Sequence, residues 1–129
     1  MKLNETNTPE EAKDAFKLAL ENNYKIYISK YAFILENYLV NSIFERIKEP
    51  SLKHLIDQFT SICVDFVMLR LFISGYTSNT NNPLNTSIYI IQKYSKALSH
   101  NAEYKSEIAH ILQQDYASVL SQITMLIYI

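Results

Sequence analysis

The chain has 129 residues, 12 basic and 13 acidic, for a formal net charge of −1, which excludes a strongly basic nucleic-acid binder. Apolar residues make up 48% and charged residues 19%, so a single core can form and disorder is excluded. One glycine excludes a glycine-rich phosphate-cradling loop, and one cysteine, Cys63, excludes a disulfide framework or a multi-cysteine metal site.

The first residues carry no apolar run of the secretory kind. The helical signal begins at Thr8-Pro9-Glu10-Glu11, where Thr8 can cap, Pro9 suits the first helical position and Glu11 completes a capping box. This first helix is expected to reach about residue 21 and to bury Ala12, Phe16, Ala19 and Leu20. Asn22-Asn23 then reads as a break, or as a bend in one longer helix.

The second predicted helix covers 24–48 and ends before Pro50. At one helical period, Tyr24, Ile28, Tyr31, Leu35, Tyr38 and Leu39 fall on one face, and Ile26, Phe33, Val40, Phe44 and Ile47 on another. Two apolar faces predict packing on both sides. The third helix, 52–74, is capped by Ser51, with Gly75 expected in the left-handed position at its end. Leu52, Leu55, Phe59, Ile62, Cys63, Phe66 and Ile73 share a face. From 64 to 73 the helix is apolar nearly all round, which makes it the expected centre of a bundle. The apolar stretch 62–73 is interrupted by Asp65 and Arg70, and it is far shorter than the roughly 20 residues of a membrane span.

Residues 76–85 are rich in asparagine and threonine and read as a solvated loop. Asn85 or Thr86 is the expected cap of a fourth helix reaching Ser99, with Ile88, Ile91, Tyr94 and Leu98 inward. His100-Asn101 is the next break, with Asn101 as cap. Tyr104, Ile108, Ile111, Leu112, Val119, Ile123 and Leu126 give the last helix its stripe. The apolar C-terminus is expected either to be buried or to mark the chain as the C-terminal portion of a longer protein. The expected architecture is therefore all-α: one domain over 1–129, with about five helices packed roughly antiparallel. A cytoplasmic location away from membranes and nucleic acid is expected.

Chemistry-bearing residues are few. His54, His100 and His110 lack metal spacing and read as surface or capping residues, so no metal site is expected. Cys63 on an apolar face reads as an inert thiol. Arg70, Asp115 and Glu36 are charges placed among apolar positions. They predict a buried arginine–carboxylate pair that fixes helix register, Arg70 with Asp115 or Glu36, or else a polar pocket around Arg70. Tyr24, Tyr27, Tyr31 and Tyr38 follow one another along one helix and read as core, with a partner surface as the alternative.

The run from Leu35 through Glu36-Asn37-Tyr38-Leu39 to Phe44 resembles a segment of the C-terminal half of flagellin lysine-N-methylases. So do Met68-Leu69-Arg70-Leu71 and the stretch 90–101, ending in His100-Asn101, in the same order. The resemblance covers 31–112 and picks out Glu36, Asn37, Tyr38, Arg70, His100 and Asn101. It implies a part in S-adenosylmethionine-dependent methylation of flagellin lysines. In that family a cysteine cluster in the N-terminal half is implied to hold a metal centre, and this chain has neither that cluster nor a glycine-rich cofactor loop. No catalytic or cofactor-binding residue is carried over, and this segment alone is expected to be inactive. A different class of function competes with this one: a small helical interaction module that dimerises or takes a partner helix, with the last helix as its surface.

Overall fold

Capping chemistry sets the helix starts. The computed structural model describes residues 8–77, 80–112, 121 and 124. Helix α1 (Pro9–Ala19) opens on the expected capping box: Thr8 Oγ1 accepts from the Glu11 N–H at 3.3 Å, and Glu11 Oε2 accepts from the Thr8 N–H at 2.8 Å. The chain does not break at Asn22-Asn23. Leu20–Tyr24 forms a widened π turn that leads directly into α2 (Lys25–Arg46). Leu20, Tyr24 and Tyr27 are all buried, so a loop here would interrupt a continuous apolar seam. The irregularity falls later, at Tyr31, where φ −126° and ψ 20° kink α2.

Ser51 caps α3 (Leu52–Tyr76), its Oγ accepting from the His54 N–H at 3.3 Å. The helix continues through Gly75, and no described residue has a positive φ, so the expected left-handed glycine cap is absent. At the helix end the Thr77 N–H and hydroxyl both donate to the Ile73 carbonyl. Helix α4 (Pro83–Tyr94) starts earlier than expected. Asn82, not Asn85 or Thr86, is its cap, with Oδ1 accepting from the Asn85 N–H at 3.2 Å and Pro83 at the first position. The connection thus shrinks to 77–82. A second π turn, Ser95–Ser99, follows α4. Asn101 caps α5 (Ala102–Leu112) as the sequence predicts, accepting from the N–H groups of Glu103 at 3.0 Å and Tyr104 at 3.1 Å. Val119, Ile123, Leu126 and the rest of the predicted last stripe lie outside the described residues.

The fold is all-α, and no strand occurs among the described residues. The short connections after α2 and after α3 bring α3 against α2 and α4 against α3. Helix α3 is the centre, touching α1, α2, α4 and α5. Leu69 and Ile73 on α3 are fully buried, against Leu20, Tyr24, Tyr27, Leu35, Ile90 and Tyr94. Ser74 on α3 and Ser87 on α4 are also fully buried. Their hydroxyls donate to their own helices, Ser74 to the Arg70 carbonyl at 2.6 Å and Ser87 to the Leu84 carbonyl at 2.7 Å. Both buried hydroxyls are thus satisfied within their own helices.

The second apolar face of α2 does not pack as expected. Ile26, Phe33, Val40 and Phe44 are exposed, because α3 and α4 both lie against the side carrying Tyr27 and Leu35. Leu52 and Phe59 on α3 and Ile88 on α4 also point outward, where burial was expected. Ile90 and Ser87 take the inward positions of α4. No described helix is long and apolar enough to cross a membrane.

Candidate functional site, a buried arginine–aspartate–tyrosine centre

Asp65 lies in the most apolar part of α3, beside Leu69 on the core side. A buried carboxylate needs a cation and donors around it. Arg46, in the last turn of α2, supplies the cation: its Nη2 lies 2.6 Å from Asp65 Oδ2, with the two side chains 8% and 3% exposed. Tyr94, the last residue of α4, donates its hydroxyl to Asp65 Oδ1 at 2.7 Å. Arg46 Nη1 donates to Ser61 Oγ at 3.3 Å. One carboxylate therefore joins α2, α3 and α4.

Helix α5 closes the centre. The Tyr104 hydroxyl is buried and close enough to Tyr94 to raise its pKa. Burial, then the Asp65 carboxylate and Tyr104, push the Tyr94 phenol far above the usual tyrosine range, so its proton stays in place. The Lys105 ammonium is held below the usual lysine range by partial burial first and by the charge of Arg46 second, with Asp65 and Glu45 acting in opposition. His54 Nε2–H donates to the Arg46 carbonyl at 3.3 Å, capping the end of α2 from α3. Its Nδ1 lies 3.9 Å from Glu49 Oε2. The capping role expected of the histidines is realised at His54, and His100 and His110 are exposed.

Asp65 thus accepts the Tyr94 hydroxyl on Oδ1 and faces the Arg46 guanidinium on Oδ2. This arrangement sets helix register.

A second set of contacts involves Arg70. Its guanidinium lies over the Tyr24 ring, with Cζ 5.3 Å from the centroid. Tyr27 packs between Tyr24 at 6.4 Å and Tyr31 at 5.3 Å. Burial raises the pKa of both Tyr24 and Tyr27, opposed by Arg70 at Tyr24 and by Ser87 at Tyr27. The tyrosine run is core, as its helical spacing predicts.

A family model described as FliB lysine N-methylase C-terminal domain matches residues 1–126. The chain belongs to this family. No curated protein and no solved structure matches it.

Within this FliB C-terminal domain, the positions picked out by sequence lie apart from the Arg46–Asp65–Tyr94 centre. Glu36 and Asn37 are exposed on α2, and Tyr38 is half-buried against the core. Glu36 was expected between two packed faces, but one of those faces is open to solvent, so its charge needs no buried partner. Arg70 is partly buried, His100 is exposed, and Asn101 is a helix cap. Asp115 lies outside the described residues. Among the described residues, the buried arginine–carboxylate pair is Arg46–Asp65, not one at Arg70 with Glu36. The sequence reading took Asp65 only as an interruption of an apolar run and passed over Arg46. The available signal was a lone aspartate on the inward side of the central helix, which requires a cation from a neighbouring element.

Proposed function

We propose that this domain contributes to methylation of protein lysines as a non-catalytic helical part of the flagellin lysine-N-methylase machinery, supporting or docking the substrate. The observation that carries the reading is the family match over residues 1–126. The chemistry of the interior supports it. A lysine acceptor must lose a proton from a group with a pKa of about 10.4, and the buried Asp65 carboxylate is already engaged by Arg46 and Tyr94. Burial pushes the Cys63 thiol up, away from the thiolate that metal binding or nucleophilic attack requires.

The family's cofactors do not fit these residues. The single glycine is inside α3, not in a turn that could receive S-adenosylmethionine. Cys63 is the single cysteine, and no described group of three His, Cys, Asp or Glu side chains could hold a metal ion. In this reading both the cofactor and the cysteine-bound metal centre belong to other parts of the methylase, the partner is flagellin, and the work is done in the cytoplasm.

Calorimetric titration of S-adenosylmethionine into the 129-residue chain tests this. The expected result is no micromolar binding and no methylated lysine on added flagellin. Micromolar binding, or methyl transfer by the chain alone, would overturn it. A second reading, an interaction module without enzymatic activity, is favoured by the outward apolar stripe of α2.

A further inference from the structure

We draw no further inference here: the strongest candidate, the outward apolar face of α2 that carries Phe33, Val40 and Phe44, carries no proposal because nothing in the structure shows what covers it.

Discussion

Arg46 and Asp65 meet at 2.6 Å inside the bundle and tie the last turn of α2 to the middle of α3. Removing one partner leaves the other as an unpaired charge in the interior, which typically costs about 3–5 kcal/mol. Arg46→Met or Asp65→Leu should therefore lower the melting temperature by roughly 10–20 °C. The double variant Arg46→Met, Asp65→Leu should recover much of that loss, because neither charge is then stranded. Thermal denaturation of the four proteins measures the coupling, and additive losses would contradict it.

The hydroxyl of Tyr94 contributes a separate part. Tyr94→Phe takes the donor from Asp65 Oδ1 and should cost about 1.5–3 kcal/mol, as for hydrogen bonds to charged groups. The pH dependence follows from the raised pKa values of Tyr24, Tyr27 and Tyr94. A group whose folded pKa exceeds its unfolded value of about 10 contributes its full stabilisation below that value and loses it as the pH climbs through the folded value. The phenols' contribution to stability should therefore be constant up to pH ~10 and fall above it, with a shallower fall in Tyr94→Phe. Phenolate absorbance should show these three rings ionising together with unfolding. Their ionisation in the intact fold would refute the assignment.

Gly75 distinguishes two helix endings by the sign of one substitution. In a left-handed cap, alanine would be destabilising. In the helical position it occupies, Gly75→Ala should stabilise by about 0.5–1 kcal/mol. Chemical denaturation reads the difference directly, and a loss of stability would restore the left-handed ending.

Asn101 is singled out by the family resemblance, but its contacts are those of a cap. Asn101→Ala should cost about 0.5–2 kcal/mol, whereas Asn101→Asp or Asn101→Ser should be nearly neutral, since each keeps an acceptor at the cap position. Equal damage from all three would point to a role beyond capping.

Helix starts were legible because capping is local: Thr8, Ser51 and Asn101 each sit within three residues of the N–H groups they satisfy. Helix ends were less so. The continuation through Asn22-Asn23 depends on burial of side chains on both sides, which the local residue pattern does not announce. The central helix was legible from its apolar girth. The Arg46–Asp65 pair was not, because its members are 19 positions apart in the sequence and come together only once α2 folds back on α3. Periodicity also marked both faces of α2 as apolar, yet it carries no information on whether a neighbour exists for each face.

The two widened turns, Leu20–Tyr24 and Ser95–Ser99, have a consequence for how this chain tolerates change in length. A π turn holds one residue more than an α turn, so each acts as a slack joint in an otherwise rigid rod. Loss of one residue within either turn leaves an ordinary α-helix, with every backbone bond still able to close. The arm beyond the joint keeps close to its phase, because the π turn and the shorter α turn that replaces it cover about the same rotation, so Phe16 and Ala19 stay in the seam. A single deletion is thus absorbed at these two places, whereas one in the regular part of α1 or α2 would turn every side chain beyond it by about 100°.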